Sequence, residues 1–574
     1  MSPQAFLKWR PNGPALWAAV LLALGLILRL RQYLFNRSLW LDEAYLATSF
    51  VDRDLGELLF HPLANGQVAP LGFLLLVKAV TSVLGTHDWS LRLLPLLSSV
   101  LSLVVAIPIA RSVLPGALAR SVFMGLMAFA PVLVYYSSEF KQYQGDVLCS
   151  VLILWLSMRF RAEHGPADGW KLALAGAACI WFSHASLFVL AGAGTVLWLE
   201  MAHRRQRAAW LAITVVGLVW LLSFGLNHTL SLRNLTSNSS LIGFWEAAYA
   251  PFLPHSLEDL SWYLNNALGL VYLAMRHTGV AHHGEMPGWF DALNVGLLAL
   301  TLLGSVALAR LSRRVAGIFL VTLIAVLAAS ALHLYPFRSR LILFLLPLVY
   351  LALAALVQVI WQQTNRWRAR PVAVGLALSL IFVMALPSWR VLRQPENAQD
   401  IKGAMAHIAK HRQPGDHVVL GSMTHKAFDF YAPTFQLDDL PVVIFRVTPN
   451  PVHDARATVR RICLDPQAKR SWLVISHRLS DQADFLNVVR SISPPLAQWQ
   501  GEGATAILHD FRASPYCQRY REHGKGSLGP VQNQLTLNAA ILMPLSNGLT
   551  LVHAPMRPSL LEPTGRPKHR TTEL

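Results

Sequence analysis

Stretches of about 20 apolar residues recur from the start of the chain to about residue 390, and clusters of Arg and Lys separate them. A helix needs about 20 consecutive apolar residues to cross a bilayer core of about 30 Å. The composition agrees, since only 14% of the residues are charged, against about 25% in ordinary soluble domains. The pattern therefore predicts an α-helical polytopic membrane protein and excludes a soluble fold for this part of the chain.

The formal charge of +18 comes from basic clusters between the apolar stretches. A nucleic-acid-binding protein would instead gather its Arg and Lys residues in one continuous basic surface. Such clusters mark cytoplasmic loops in membrane proteins. Applied along the chain, this rule predicts about eleven crossings and a cytoplasmic N-terminus. The odd number places everything after Trp389 outside the cytoplasm. It also places the apolar stretch Pro70–Leu84 at the outer interface, because counting it as a crossing would move Arg111 and Arg120 outside.

Three regions follow from this pattern. Residues 1–390 form the predicted membrane module, with large outer loops at 36–90 and 227–288. Residues 391–520 combine helical spacing at 397–412 with short buried strands at 417–420 and 472–475, which predicts an extracytoplasmic α/β domain. Residues 521–574 are rich in Gly, Pro, Ser and basic residues without apolar periodicity, which predicts a flexible tail.

The four cysteines fall into two pairs. Cys149 and Cys179 lie inside apolar stretches, where packing explains them. Cys463 and Cys517 lie in the α/β domain, and outside the cytoplasm they are able to form a disulfide. The sequence leaves open whether they do.

Two adjacent carboxylates, Asp42 and Glu43, follow the first predicted crossing on its outer side. A carboxylate at such a place is able to act as a general base that takes a proton from an acceptor hydroxyl or amine. Asp42 is the candidate base, and Glu43 is the neighbour that tunes or orients it. A solvated acidic loop is the alternative interpretation of the same two residues.

Two further clusters of polar residues lie at the predicted outer ends of other membrane crossings. Residues 135–146 contain Glu139, Lys141, Tyr143 and Asp146, and ionisable groups at membrane depth generally face a wet cavity. The other cluster, 333–340, holds two arginines where the charge rule expects neutral or acidic residues. Guanidinium groups there suit a phosphate or diphosphate. Interfacial anchoring by Tyr135, Tyr136 and Lys141 is the alternative interpretation of the first cluster, and contact with lipid head groups is that of the second.

Four segments in this order resemble a known family: WLDEA (40–44), APLGFL (69–74), WSLRLLP (89–95) and YSSEFKQY (136–143). They are similar to segments of integral membrane glycosyltransferases of the GT-C type, in particular the family of protein O-mannosyltransferases and lipid A aminoarabinose transferase. The resemblance covers roughly residues 15–390. It departs at Val68-Ala69-Pro70, where a basic residue or His often precedes the proline.

The resemblance implies a glycosyltransferase that moves a sugar from a polyprenyl-phosphate donor to an acceptor on the non-cytoplasmic face, with inversion. Asp42 would be the base, and Glu139 matches a second acidic residue of the family in the next outer loop. The predicted catalytic residues are therefore Asp42, Glu43 and Glu139. The predicted substrate-binding residues are Lys141, Tyr143, Asp146, Arg338 and Arg340.

Several points stay open at this level. A transporter or flippase of a lipid-linked or polar substrate is the rival function, although neither repeats nor interrupted helices favour it. The histidines form no metal-ligand motif such as HExxH, and a divalent ion near Asp42 and Glu139 remains open without support from the sequence. The Arg-, Ala- and Leu-rich composition favours a bacterial inner membrane. The expected partners are the lipid-linked donor, an acceptor glycan, lipid or protein, and membrane lipids, but not nucleic acid.

Overall fold

The structure is a computed structural model of the chain. It describes residues 13–51, 53–63, 66–232, 239–275, 288–363, 366–446, 450–465, 470–476 and 482–522. The predicted fold class is confirmed: helices run up to Arg393, and a small domain built on one β-sheet follows.

The helices of the first part are, in chain order, α1 (Gly13–Leu34), α2 (Leu41–Val51), α3 (Leu55–Phe60), α4 (Leu71–Leu84), α5 (Asp88–Val113), α6 (Ala117–Phe129), α7 (Pro131–Tyr136), α8 (Tyr143–Arg159), α9 (Gly165–Phe182), α10 (Ser186–His203), α11 (Arg207–Asn227), α12 (Ser239–Phe244), α13 (Leu257–Met275), α14 (Gly288–Leu311), α15 (Arg313–Ala331), α16 (Leu346–Trp361) and α17 (Arg366–Arg393). A 3-10 helix, Ser339–Leu345, leads into α16.

Among the described residues, 7 helical segments are long and apolar enough to cross a membrane. They are Asp88–Val113, Ser186–His203, Arg207–Ser231, Ala292–Leu311, Arg313–Ala331, Ser339–Trp361 and Trp367–Arg393. The other crossings expected from the sequence fall on α1, on α6 with α7, on α8 and on α9. The number eleven stays a prediction. Helix α4 has 14 residues, which is short for a crossing of about 30 Å.

Helix α16 forms the centre of the bundle. Every residue from Leu346 to Gln358 is buried, so the helix is apolar on all sides and has no lipid-facing stripe. Its two polar side chains bond to backbone groups of neighbouring segments: Tyr350 donates to the carbonyl of Ala274 at 2.7 Å, and the Gln358 oxygen accepts from the amide of Gly116 at 2.8 Å. The bundle is therefore organised around this one helix.

A break between α6 and α7 is stabilised by a buried arginine. The chain leaves helical geometry at Ala130, and Pro131 starts α7, so carbonyl groups before the break lose their helical partners. The guanidinium of Arg29 in α1 donates to the carbonyls of Met127 and Ala128 at 2.9 and 2.8 Å. It also donates to Ser99 of α5 at 2.7 Å. The charge of Arg29 thereby satisfies backbone groups inside the bundle.

The C-terminal domain contains a mixed sheet of five strands in the order β2-β1-β3-β5-β4. The strands are β1 (Asp416–Gly421), β2 (Val442–Phe445), β3 (Arg470–Ser476), β4 (Pro495–Gly501) and β5 (Ala504–His509). Strands β1, β2 and β3 are parallel, and β5 is antiparallel to β3 and β4. The helices are α18 (Ile401–His411), α19 (His425–Tyr431), α20 (Pro451–Leu464), α21 (Gln482–Ile492) and α22 (Pro515–Glu522).

The two faces of this sheet have different partners. Alternate residues such as Val418, Trp472 and Ala506 share a core with α18, α19 and the segment 39–91 of the membrane module. The opposite residues, such as Val419 and Leu473, pack on α20, α21 and α22. The sheet domain is therefore docked on the membrane module through one of its faces.

The sequence located the buried strands at 417–420 and 472–475 within β1 and β3, but it set the start of the first domain helix too early. Helix α18 begins at Ile401 rather than at Asn397. The Asp400 side chain caps it by accepting from the Gly403 amide at 3.1 Å, while the Asp400 amide donates to the Glu502 carbonyl at 2.7 Å. The bond to Glu502 holds the preceding residues against the sheet instead of in the helix.

Cys463 and Cys517 form a disulfide that joins α20 to α22, whereas Cys149 and Cys179 are free and buried. The bond encloses a chain separation of 54 residues and lies in the core on the outer face of the sheet. The predicted flexible tail falls almost wholly on residues 523–574, outside the described residues.

We expect a thiol reagent to label two cysteines in the unfolded, unreduced protein, namely Cys149 and Cys179, and all four after reduction. Mass spectrometry of labelled peptides measures both counts. Labelling of Cys463 or Cys517 without reduction would contradict the disulfide in the native protein.

Candidate active site

The three polar clusters expected on one side of the membrane meet at one end of the helix bundle. Asp42 lies in the first turn of α2, the loop 137–142 connects α7 to α8, and the segment 333–340 precedes α16. The Phe140 amide donates to the Glu43 carboxylate at 2.6 Å, and Arg340 donates to Asp42. Residues separated by 97 and 298 positions in the chain are thus brought into one site.

Asp42 forms an ion pair with Arg340, with 2.5 Å between its Oδ2 and the Nη2 of the arginine. The Asp42 side chain keeps 20% of its surface exposed and that of Arg340 keeps 15%. By contrast, the carboxylates of Glu43 and Glu139 are fully buried. Asp42 is therefore the accessible carboxylate of the three predicted catalytic residues.

Arg340 is held by aromatic side chains as well as by Asp42. Its Nε donates to the Tyr143 hydroxyl at 2.9 Å. Its guanidinium carbon lies 5.3 Å from the ring centre of Trp40, and 5.9 Å from those of Tyr143 and Trp245. Aromatic faces stabilise a cation by their quadrupole, so Arg340 is fixed at the mouth of the site while it remains open to solvent.

Glu43 is the most heavily coordinated carboxylate of the site. Arg92 of α5 binds it with two nitrogens, Nε at 2.8 Å and Nη2 at 2.7 Å, and the amides of Phe140 and Trp40 donate to it at 2.6 and 3.4 Å. Burial raises the pKa of the Glu43 carboxyl, but Arg92 and Arg37 outweigh burial and set this pKa below its usual range. Glu43 is thus ionised and connects three chain segments.

Glu139 lies beside Arg37 in a fully buried place. The distance between its Oε2 and the Arg37 Nη2 is 3.5 Å, and neither of its oxygens has a hydrogen-bond partner. Arg37 also packs on Tyr135, with its guanidinium carbon 4.1 Å from the ring centre. Burial, opposed by the Arg37 charge and reinforced by the Glu43 carboxylate, raises the pKa of Glu139 to about 7.

Lys141 projects from the same loop and donates to the side-chain oxygen of Gln67. It is almost fully buried, and burial lowers the pKa of its amino group against the attraction of Asp42. Gln67 directly precedes the Val68-Ala69-Pro70 segment that departs from the family pattern. Lys141 therefore places a positive charge at that segment from a different loop.

Arg338 and Arg340, which the sequence grouped together, face different surroundings. Ser339 between them has a left-handed backbone with φ of +50°, which is unusual for serine. Arg340 reaches Asp42, whereas Arg338 is exposed and lines a cavity of about 320 Å³. The cavity is also lined by Trp262, Asn265 and Asn266 of α13. Arg338 thus belongs to a neighbouring polar cavity.

Asp146 lies deeper in α8 than the other candidates. It is buried, it lies beside Ser183, and one of its oxygens has no partner. Within the described part of the chain, no hydrogen bond or ion pair joins it to Asp42 or Arg340. The structure thus separates Asp146 from the Asp42 cluster, and its role in binding stays a prediction.

The sequence did not identify Arg37, Arg92 and Trp40 as parts of the site. Arg92 is one turn inside an otherwise apolar helix, and an arginine at that depth normally has an acidic partner. The position of Arg92 therefore indicated a buried ion pair, although the sequence did not identify its acidic partner. Trp40 lies in the segment WLDEA that carries the family resemblance, although no role followed from it. Arg37 carries no comparable signal, because basic residues are common at the end of any crossing.

No group of three or more His, Cys, Asp or Glu able to hold a metal ion occurs in the portion of the chain that the structure describes. The carboxylates named for a divalent ion each face an arginine: Asp42 faces Arg340, and Glu139 faces Arg37. These guanidinium groups already balance the charge that would attract a divalent ion. The donor set does not fit such an ion, and no step below uses one.

The chain is similar to two crystal structures of ArnT, a lipid A aminoarabinose transferase, from Cupriavidus metallidurans. For the apo state the identity is 13%, the match covers 86% of this chain and 97% of that chain, and the TM-score is 0.45. For the state bound to undecaprenyl phosphate the identity is 13%, the coverage 88% and 98%, and the TM-score 0.43. No protein-family model matches this chain, and no curated protein matches its sequence.

Replacing Glu43 by Gln should lower the free energy of unfolding by about 3–5 kcal/mol, because it leaves the buried charge of Arg92 without its counter-charge. Thermal unfolding in detergent measures the effect. Glu163→Gln is the matched control, since Glu163 is exposed and should change stability by no more than about 0.5 kcal/mol. Equal losses in the two variants would contradict the structural role of Glu43.

The raised pKa of Glu139 predicts a pH-dependent stability. The folded protein holds this proton up to about pH 7, whereas a glutamate in the unfolded chain loses it near its ordinary pKa of 4.5. The stabilisation by this proton is therefore complete below about pH 4.5 and is lost as the pH rises through about 7.

Between pH 5 and pH 8 the wild-type Tm should accordingly fall relative to that of Glu139→Gln, which cannot ionise at this position. Differential scanning calorimetry over this range checks the slope. A wild-type Tm that rises relative to the variant would show that the ionised form is the stabilised one.

Proposed function

We propose that this chain is an integral membrane glycosyltransferase that moves a sugar from a polyprenyl-phosphate donor to an acceptor, with inversion at the anomeric carbon. Asp42 is the general base, Arg340 and Lys141 bind the donor phosphate, and Glu43 positions Asp42. The observation that carries the proposal is an accessible carboxylate paired with an accessible guanidinium, in a site with an excess of positive charge.

The charge balance of the site supports an anionic ligand. Four cationic side chains, Arg37, Arg92, Lys141 and Arg340, face three carboxylates, Asp42, Glu43 and Glu139. One positive charge remains with all groups ionised, and a second appears when Glu139 takes up a proton near neutral pH. A donor phosphate would neutralise this excess, and Arg340 offers a planar fork of donors for it.

The chemistry needs one proton acceptor and one stabilised leaving group. The acceptor oxygen or nitrogen attacks the anomeric carbon on the face opposite the phosphate, and its proton passes to the Asp42 carboxylate. The bond between the anomeric carbon and the phosphate oxygen breaks, and its electron pair leaves with the polyprenyl phosphate. Cationic side chains around the leaving phosphate stabilise the charge that develops there.

The pairing of Asp42 with Arg340 also suggests an order of events. The guanidinium of Arg340 holds the Asp42 carboxylate at 2.5 Å, so this carboxylate oxygen is engaged in an ion pair. A donor phosphate on Arg340 competes with Asp42 for the same nitrogens. Donor binding would then release Asp42 to accept the proton.

The cavity at Arg338 is the candidate place for further polar parts of a substrate. Its Trp262 ring and its two asparagine side chains combine an apolar face with hydrogen-bonding groups, a mixture that suits sugar rings and their hydroxyls. Arg338 adds a positive charge at the rim. The cavity would therefore take part in the choice of sugar or acceptor.

We further place this end of the bundle and the sheet domain on the non-cytoplasmic side of a bacterial inner membrane. Basic clusters such as Arg204–Arg207 and Arg313–Arg314 lie at the connections from α10 to α11 and from α14 to α15, including the first residues of the following helices. These connections do not belong to the site, as the charge rule requires for cytoplasmic loops. The disulfide Cys463–Cys517 is typical of an oxidising compartment.

Asp42→Asn should abolish sugar transfer and leave the protein folded, because it removes the base without a change of bulk. Purified wild-type and variant proteins are compared for loss of sugar from a panel of polyprenyl-phosphate donors. Asp439→Asn is the control, since Asp439 pairs with Arg412 on the exposed surface of the sheet domain and should keep full activity. Equal turnover by all three proteins would remove Asp42 from the mechanism, and no turnover with any donor would favour a flippase.

A further inference from the structure

The residues just before Asp42 have no regular secondary structure. Residues 36–40 connect α1 to α2, and Asn36 has a left-handed backbone with φ of +53°. Backbone groups in such a segment have no helical or sheet partners and need others. Asp42 is the second residue of α2, so the path of this connection decides where its carboxylate points.

The sheet domain supplies these partners. The Leu39 amide donates to the Tyr431 hydroxyl at 2.8 Å, and the Leu41 amide donates to the side-chain oxygen of Gln399 at 3.1 Å. The amide of Lys402 donates to the Ser38 hydroxyl at 3.1 Å. Ser38, Leu39 and Leu41 are thus bound to a domain that follows them in the chain by more than 350 positions.

One carboxylate ties the domain and the connection to the membrane helices. Asp88, at the start of α5, accepts from the Tyr431 hydroxyl at 2.6 Å and from the Lys402 amino group at 2.7 Å. Lys402 also donates to the carbonyl of Asn36 at 2.6 Å. Tyr431 and Asp88 are both buried, so this network is shielded from water and keeps a defined geometry.

The opposite side of the connection is held by α5 and by the loop 137–142, where Arg37 donates to the carbonyl of Ser138 at 3.2 Å. Arg92 donates to the carbonyls of Arg37 and Ser38 at 2.6 and 3.1 Å, besides binding Glu43. The connection is therefore clamped between a membrane helix and the sheet domain. Loss of the bonds from the sheet domain, or of those from Arg92, would free the segment that orients Asp42.

We propose that Tyr431 and Gln399 of the sheet domain are positioning residues for Asp42, so that this domain is part of the catalytic apparatus rather than only a cover over it. This inference rests on the proposed function for its kinetic consequence, but not for its structural one. Small displacements of a catalytic group reduce turnover more than they reduce substrate binding.

The test uses the full chain with Tyr431→Phe, which removes the hydroxyl that joins Leu39 to Asp88. Hydrogen exchange should become faster at the amides of Leu39 and Leu41. The kcat for the donor consumed by wild-type protein should fall by about ten- to a hundredfold, with KM for that donor within about twofold of wild type. Tyr516→Phe is the control, because Tyr516 packs on the other face of the sheet.

Unchanged exchange and unchanged kcat in Tyr431→Phe would overturn the inference. If this variant unfolds the sheet domain, Gln399→Leu decides the question, because it removes the bond to the Leu41 amide and leaves Tyr431 in place. Normal exchange at Leu41 in that variant, or normal kcat despite faster exchange, would equally overturn it. A wild-type protein without transfer activity would refute the proposed function, while the exchange measurement would still decide whether the domain holds the connection.

Discussion

The carboxylate of Glu43 determines how the site is built. It binds Arg92 on α5 with both oxygens and accepts from the amides of Trp40 and Phe140, so the connection before α2, the helix α5 and the loop 137–142 converge on it. Successive residues of an α-helix point about 100° apart. With Glu43 turned into the protein, its neighbour Asp42 is turned away from that interior and towards Arg340. One of two adjacent carboxylates is thus used for structure, and the other is left for chemistry.

The remaining polar groups form two layers, one around the structural carboxylate Glu43 and one around the accessible carboxylate Asp42. Arg37 and Glu139 lie beside Glu43 in a dry layer, where a proton is held up to about pH 7. Arg340 and Asp42 form the wetter layer, which aromatic rings enclose. The inner layer is buried, and its charges act on the outer layer through a medium of low polarity, where such interactions are strong. A ligand that enters from the open side meets Asp42 and Arg340 first.

Much of this arrangement followed from the sequence, and the missing parts have physical reasons. Apolar stretches located the helices of the bundle outside the predicted outer loops, and short buried runs located the strands β1 and β3. The charge rule brought Asp42, Glu139 and Arg340 to one end of the bundle. The partners of Glu43 could not be read, because a buried arginine such as Arg92 has several acidic residues within reach in the chain. Arg338 was grouped with Arg340 because both lie in the short segment 333–340. The left-handed backbone of Ser339, which separates them, leaves no signal in the sequence. The hydroxyl of Tyr431 acts across 392 positions, which no local pattern records.

The buried arginine of the first helix has a consequence for biosynthesis. Arg29 donates to Ala128, which follows it by 99 residues, and to Ser99. Helix α1, which carries this charge, is synthesised well before α6, which carries the carbonyls that match it. Such a helix is poorly stable in lipid by itself. It must wait near the interface or beside the insertion machinery, and its final burial is a late step that the arrival of α6 allows.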